Sequence, residues 1–294
     1  MNLGYLILAH KNPLQLARLV DRLHYDGSAI YIHIDKKVDI SDFTRVLEDK
    51  EGVYFVNKRV SANWGAFSLV EATLNGLTEM RNKHKDMDYV TLLSGQDYPI
   101  KKKDVIIEYF KKNKGKEFLH FDPFPTKELP KGGMDRIEYY YDYDNNIMEK
   151  NKYEVEMHSL GIKRQFIENM KPYHGSQWWS LSRKCIEYVL DYIEQNKEIT
   201  NFYRYTRFSD EQVFQTIIMN SNYAKNVVNN NLRYIDWSTV DRSTLDWIHN
   251  PPHPRVFTIY DYKRFLKSKH LFARKFDENI DYTILDKIDS EILS

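Results

Sequence analysis

Over residues 1–120 the apolar residues switch repeatedly between two periods. "GYLILAH", "AIYIHID", "VYFVN" and "YVTLL" are short, nearly unbroken apolar runs of the length of a buried strand. Helix patterns separate them. In "NPLQLARLVDRLH" Asn12 offers a cap, Pro13 suits the first turn, and Leu16, Leu19, Val20 and Leu23 share one face. "DISDFTRVLED", "SLVEATLNGLTEMRNKH" after Trp64–Gly65, and "KKDVIIEYFKKN" continue the series. Parallel neighbours need a crossover, and a helix is the usual one, so this alternation predicts an α/β fold around a mostly parallel, Rossmann-like sheet. Ligands of such sheets sit beyond the carboxyl ends of the strands.

From residue 118 the pattern loosens. "KEFLHFDPF" reads as a further strand, and residues 122–160, with the Tyr-rich "RIEYYYDYDNN", read as a long irregular insertion or a hairpin. Long loops on such scaffolds tend to carry substrate contacts. "GSQWWSLSRKCIEYVLDYIEQN" reads as a strand ending near Leu181, then a helix. No linker divides the chain, so residues 1–294 are expected to form one domain, with a ligand-binding half over 1–120 and a catalytic half over 121–294.

Several positions could carry chemistry. In "FSDEQVFQTIIMNS", Ser209 and Gln212 have the spacing of a capping box, which would put Asp210 and Glu211 in the first turn of a helix. Capping alone would explain both acids; alternatively, Glu211 is a fixed general base. Lys275, between Phe272 and Phe276, and Arg255, after the Pro-stiffened "HNPPHPR", are either surface charge or two cations able to offset a leaving diphosphate without a metal. His10 and Asp35 end the first two strands, where nucleotides are bound in α/β domains. Asp97 is a single acid in the turn after "YVTLL". The triplets Asp86–Met87–Asp88 and Asp142–Tyr143–Asp144 are poor metal sites: the first precedes its strand and the second reads as a solvated loop. Neither G-x-G-x-x-G nor a Walker A motif occurs, which disfavours dinucleotide and P-loop chemistry.

Composition narrows the class. With 43 Lys+Arg against 42 Asp+Glu the net charge is +1, so the basic excess of a nucleic-acid binder is missing, though a local cluster for phosphate remains open. A single cysteine, Cys185, excludes an internal disulfide and points to a reducing cytoplasm. No run approaches the ~20 apolar residues of a membrane span, which leaves only transient association with the inner membrane surface. The 22 tyrosines and 5 tryptophans are either core residues or rings on which sugars stack.

"YLILAHKNP", "YIHIDKK", "WGAFSLVEATLNGL", "YVTLLSGQDYPI", "GSQWWSLSRKCIEYVL", "SDEQVFQTII", "LRYIDW" and "HLFARKFD", in order from residue 4 to about 277, resemble the core-2/I-branching N-acetylglucosaminyltransferase family, which includes peptide O-xylosyltransferases. The resemblance implies a GT-A-like fold and inverting, metal-independent transfer from a UDP-sugar (GlcNAc favoured, xylose the alternative) to a saccharide hydroxyl, with no cofactor. It implies Glu211 as the base, Lys275 and, less securely, Arg255 on the diphosphate, and His10 and Asp35 at the uridine. Arg136, Tyr234 and Trp237 fall in segments lining the acceptor side, and Trp178 is counted with them. Asp97 stands where a metal-dependent relative would carry its Asp-X-Asp triplet, and is expected to shape the turn or touch the donor sugar. Without the anchor, stem and disulfides of the animal enzymes, the chain resembles the bare catalytic domain of a bacterial member, acting on a lipid-linked or surface-polysaccharide precursor. A silent nucleotide-sugar binder and a plain carbohydrate-binding module are the rival readings.

Overall fold

The computed structural model describes residues 1–47, 50–127, 129–144, 156, 159–238 and 253–294. The expected alternation is present: β1 (Leu3–Ala9), α1 (Pro13–Leu23), β2 (Ser28–Ile34), α2 (Ser41–Leu47), β3 (Val53–Phe55), α3 (Phe67–Lys83) and β4 (Tyr89–Ser94). After β5 (Asp97–Pro99) come α4 (Lys103–Lys112), β6 (Glu117–Pro123), the one-turn α5 (Asp135–Glu138) and β7 (Tyr173–Ser182). The chain continues through α6 (Arg183–Gln195), α7 (Lys197–Arg204), α8 (Val213–Met219), β8 (Val227–Val228), β9 (Arg233–Ile235), α9 (Tyr262–Lys267), β10 (Phe272–Arg274) and α10 (Thr283–Ile288).

Seven strands form the central sheet in the order β3-β2-β1-β4-β7-β6-β8. The first four run parallel, β7 is antiparallel to β4 and β6, and β8 is parallel to β6. This mostly parallel sheet flanked by helices is consistent with a GT-A-like fold. The register pairs Ala9 with Ile34 and Leu8 with Ser94. The carboxyl ends of β1, β2 and β4 are therefore level, and His10, Asp35 and the 94–97 turn share one edge.

Every residue of β1 is buried, and its side chains divide by parity. Leu3, Tyr5, Ile7 and Ala9 enter the core cluster that holds the apolar faces of α1 and α2; Leu6 and Leu8 enter the other, with Phe67, Leu77 and Val189. This period-2 division is why an unbroken apolar run makes a central strand. Fully burying each large side chain contributes about 1.5–3 kcal/mol relative to exposure. Helix α3 lies so close to the sheet that a Cβ on Gly76 would fall 2.4 Å from Leu6 Cδ1.

Local expectations needed correction. Pro13 does open α1, but Asn12 makes no side-chain cap. It sits in the left-handed region (φ 56°), and its amide donates to Asp277 Oδ1 at 2.8 Å while its Oδ1 accepts from Asn279 at 2.9 Å. The side chain is used to join two loops distant in sequence. Asp144, expected to be solvated, accepts the Ser68 N–H at 3.0 Å and so caps α3, whose own N-cap residue is Ala66. The described part of the insertion contains α5 and a 3-10 turn over Pro130–Gly133; residues 145–155 lie outside the described residues.

A second, three-stranded sheet, β5-β10-β9, was not expected. β10 pairs antiparallel with β5 and parallel with β9, setting Arg274 opposite Asp97 and beside Ile235. It carries the C-terminal cations to the carboxyl edge of the main sheet.

Candidate active site

The segment around Glu211 is fixed from behind. Residues Ser209–Glu211 form a 3-10 turn, and α8 begins only at Val213. The expected capping box is absent: the Gln212 amide donates to the Arg207 and Phe208 carbonyls at 2.6 and 3.0 Å, and the buried Ser209 hydroxyl has no hydrogen-bond partner among the described residues. Phe208 enters the turn in the left-handed region (φ 54°). Its N–H donates to the Gly65 carbonyl at 2.8 Å, and the Trp64 ring meets its ring edge-on at 4.8 Å. Trp64–Gly65, which the sequence places just ahead of a helix, is thus a platform for the Glu211 turn.

Glu211 accepts a hydrogen bond from Arg136 Nη1 at 2.9 Å. The Arg136 side chain is 7% exposed and its guanidinium lies 4.5 Å from the centre of the Phe208 ring, whereas the Glu211 side chain is 37% exposed. A buried cation on a packed ring therefore orients a carboxylate that reaches solvent. Beside it, desolvation and then the charge of Glu211 push the Asp210 carboxyl up. Its buried Oδ1 has no hydrogen-bond partner among the described residues.

Around Lys275 the electrostatics are of another kind. Its segment is tied down by backbone bonds, Phe276 N–H to Gln96 O at 2.9 Å and Phe257 N–H to Lys275 O at 2.8 Å, while the Gln15 amide donates to both Gly95 O and Phe276 O. No ion pair or hydrogen bond engages the ammonium among the described residues. Desolvation, then Arg274 and Lys11, lower the Lys275 pKa, with Asp277 opposing. Lys11 is itself paired with Asp277 at 2.6 Å. His10 is pushed down by desolvation and Lys11, and it feels both Asp35 and Lys275, so the two charged groups lie within electrostatic reach of its ring. Asp35 is buried, its Oδ1 held by the Lys37 N–H at 2.8 Å.

Arg255 is placed differently. Its side chain pairs with Asp236 at 3.2 Å and with Asp261, and Arg264 joins the same carboxylates. Its charge is already answered, and it cross-links the C-terminal elements. Arg274, which the sequence sets beside Lys275 as the other basic residue that could point into a site, is answered more weakly, by Asp97 at 3.8 Å. Its side chain is 12% exposed, its guanidinium lies 4.3 Å from the centre of the Trp178 ring, and its buried Nε and Nη1 have no hydrogen-bond partner among the described residues. The signal for it was there, an Arg beside the Lys in "FARKF", but only the second sheet shows which of the two is buried.

Asp97 is completely buried and lies on the turn, its Oδ2 accepting the Ser94 N–H at 2.8 Å. Arg233 and Arg274 approach it at 3.5 and 3.8 Å. One carboxylate facing two guanidiniums leaves net positive charge beneath the turn, and desolvation lowers the pKa of both arginines. Full burial removes Asp97 from contact with a sugar, so of the two expected roles only the turn-shaping one fits the geometry.

Tyr234 packs among Phe257, Phe265 and His270 with ring centres 5.7–6.0 Å apart. Trp237 is 48% exposed. No hydrogen bond or ring contact joins either to Glu211 among the described residues. His253, to which the sequence assigns no role, bridges the two parts of the site. Its ring is 6.2 Å from Trp64, and Lys275 and Arg274 add to desolvation in lowering its pKa. No group of three or more His, Cys, Asp or Glu converges as a metal site among the described residues. No helix among them is long and apolar enough to cross a membrane.

Comparison with known proteins gives the arrangement a context. The chain is 26% identical over 300 residues to a xylosyltransferase of Ciona intestinalis, an alignment covering 98% of this chain and 34% of that protein. It is 25% identical to human xylosyltransferase 2 over 304 residues (98% and 33%) and to rat xylosyltransferase 1 over 311 residues (99% and 35%). It spans about a third of the length of these curated relatives. The family model described as Core-2/I-Branching enzyme matches residues 3–266. On that match, which takes in His10, Asp35, Arg136 and Glu211 and ends before Arg274 and Lys275, the chain belongs to the Core-2/I-Branching enzyme family.

Proposed function

We propose that the chain is an inverting, metal-independent glycosyltransferase that moves one sugar from a UDP-sugar to a saccharide hydroxyl. The observation that carries this reading is the pairing of unlike groups: a solvent-reaching carboxylate, Glu211, oriented by a buried arginine, and a partly desolvated cation with no ion pair among the described residues, Lys275, within electrostatic reach of His10. In a single displacement the acceptor oxygen bonds to the anomeric carbon as the bond from that carbon to the diphosphate oxygen breaks. Glu211 takes the hydroxyl proton. UDP carries off the bonding electrons, and Lys275 offsets the charge that develops on it. Arg274 replaces Arg255 as the second cation, because Arg255 is neutralised by two carboxylates. An oxocarbenium-like transition state follows from loosening the leaving group ahead of attack.

The names of the relatives put UDP-xylose first among donors to test, with UDP-GlcNAc second. A lipid-linked or surface-polysaccharide precursor in a bacterial cytoplasm is the acceptor class that goes with a chain of this kind. The test is UDP release from each UDP-sugar, with and without EDTA. One donor is expected to give UDP release unaffected by EDTA. Loss of activity with EDTA and recovery with Mn²⁺ would overturn the metal-independent part, and no UDP binding at all would overturn the whole.

A further inference from the structure

A groove lined by Tyr140, Arg164 and Phe202 belongs to neither part of the site described above. Its cavity volume is about 580 Å³, within the range of about 300–1,000 Å³ typical of small-molecule sites. One wall is a layer of flat groups: the Arg164 guanidinium lies 3.7 Å from the centre of the Phe202 ring and 4.8 Å from that of Tyr140. The donors of Arg164 are spent within the protein, on the carbonyls of Tyr139, Tyr205 and Phe202 and on the Thr206 hydroxyl. It is a structural wall whose donors are occupied by neutral acceptors, so its positive charge remains in the groove while its hydrogen bonds are not on offer. The rim differs. Glu168, Glu198 and Asn201 line the groove, and no hydrogen bond or ion pair engages any of them among the described residues.

We propose that this groove is a saccharide subsite that takes a neutral oligosaccharide, the part of the acceptor remote from the reacting hydroxyl. Unengaged carboxylates and amides are the groups that hydroxyls pair with, and a flat aromatic wall suits the C–H face of a sugar ring. Two carboxylates against the single Arg164 guanidinium leave the lining net negative, which disfavours phosphates, sulfates and uronic acids and favours a neutral chain. The tie to the acceptor is the helix shared with the base. The Arg164 N–H donates to Glu138 O at 2.7 Å and Lys163 pairs with the Glu138 carboxylate at 2.7 Å. Glu138 ends α5, the helix whose Arg136 holds Glu211. The assignment of the bound saccharide as acceptor rests on the proposed function; the groove as a saccharide site does not.

Xylo-, chito-, malto- and galacto-oligosaccharides of two to four units are the probes, titrated into the full chain by calorimetry and saturation-transfer NMR with UDP present. The expected result is that at least one series binds, and that Asn201→Trp, which fills the groove, and Glu198→Arg each weaken it at least about tenfold, the equivalent of about 1.4 kcal/mol. Asn201 and Glu198 are exposed, so melting temperature and UDP affinity are expected to stay at their starting values. Binding by none of the four series, or binding unchanged in both variants, overturns the subsite. If UDP fails to bind while an oligosaccharide binds and both variants lose it, the subsite stands and the transferase reading falls.

Discussion

The Glu211 side and the Lys275 side both hold a cation, but only one of the two is answered by an anion. Arg136 is buried, stacked on Phe208 and bonded to a carboxylate, so its charge is used to orient Glu211. Lys275 is partly buried among Arg274, Lys11 and His10, and its ammonium has no paired counter-ion among the described residues. Burying an unpaired charge is costly, and structures keep one where something else repays the cost. The Glu211 side, the acceptor side of the proposed function, thus has its charges matched as it stands, while the Lys275 side, the proposed donor side, would be matched by a bound anion. In the proposed function that anion is the diphosphate of the UDP-sugar.

The largest effect falls on the side that is already complete. A positioned base contributes ~10²–10⁴-fold, so Glu211→Gln is expected to lower turnover by that order while UDP affinity, read by calorimetry, holds. Turnover within a few-fold of the starting enzyme would remove Glu211 from the chemistry and leave Arg136–Glu211 as a structural pair.

Next come the cations, which set the two sides against each other. Lys275→Ala and Arg274→Ala are expected to lower kcat/KM for the donor by ~10²–10³-fold, the order seen when one charge-stabilising donor is removed. Arg255→Ala is expected to act mainly on stability, lowering the melting temperature, because it leaves Asp236 and Asp261 with Arg264 alone to answer two charges. If Arg255→Ala costs as much donor turnover as Lys275→Ala while melting normally, the contrast between answered and unanswered cations is wrong.

A smaller effect separates Asp210 from Glu211 by pH. Desolvation raises the Asp210 pKa on folding, with the charge of Glu211 adding to it. A raised carboxyl pKa means the folded state binds the proton more tightly, so this stabilisation is fully present below the unfolded value. It is lost as pH rises through the raised folded value. Asp210→Asn removes that titration. The melting temperature of the variant relative to the starting protein is therefore expected to climb from pH 5 to pH 8. A flat difference across that range would mean the Asp210 carboxyl is not held protonated by its surroundings.

What could be read from the sequence followed the range of the forces involved. β1, β2 and β4 were legible because two-faced burial demands an unbroken apolar run, and α1 because Pro13 and its apolar stripe are local signals. Residues 97, 233 and 274 gave no such signal. Strands of three residues carry too little pattern, and their pairing joins Phe272 to Arg233 on one side and to Pro99, far earlier in the chain, on the other. The same limit explains Arg255, whose isolated sequence position shows a cation but not Asp236 and Asp261 beside it. It also explains Ser209–Gln212: the spacing fits a capping box, but packing of Phe208 on Gly65 sets the backbone and redirects Gln212. His10, Asp35 and Lys275 come together because aligned strand ends and one tied loop collect them, a placement that strand order predicts better than residue type.

The smallest predicted effect tests whether the Trp64–Gly65 platform serves only the acceptor side. Gly65 has φ +70°, and a Cβ there would fall 2.9 Å from Phe208 Cδ1. Gly65→Ala meets backbone strain of roughly 1–2 kcal/mol in the left-handed region, with the contact added to it. Gly115 is the control, since it has φ +88° with nothing within 4 Å of where an alanine methyl would sit, and so meets the strain alone. Both alanine variants are expected to melt a few degrees lower. Only Gly65→Ala should also lower kcat, because the ring it displaces supports Arg136, and it should leave the KM for the donor unchanged. Equal kcat in the two variants would mean that the Phe208 ring does not set the geometry of Glu211. A rise in donor KM with Gly65→Ala would mean that the two sides are coupled through His253, which touches Trp64 on one side and feels Lys275 on the other.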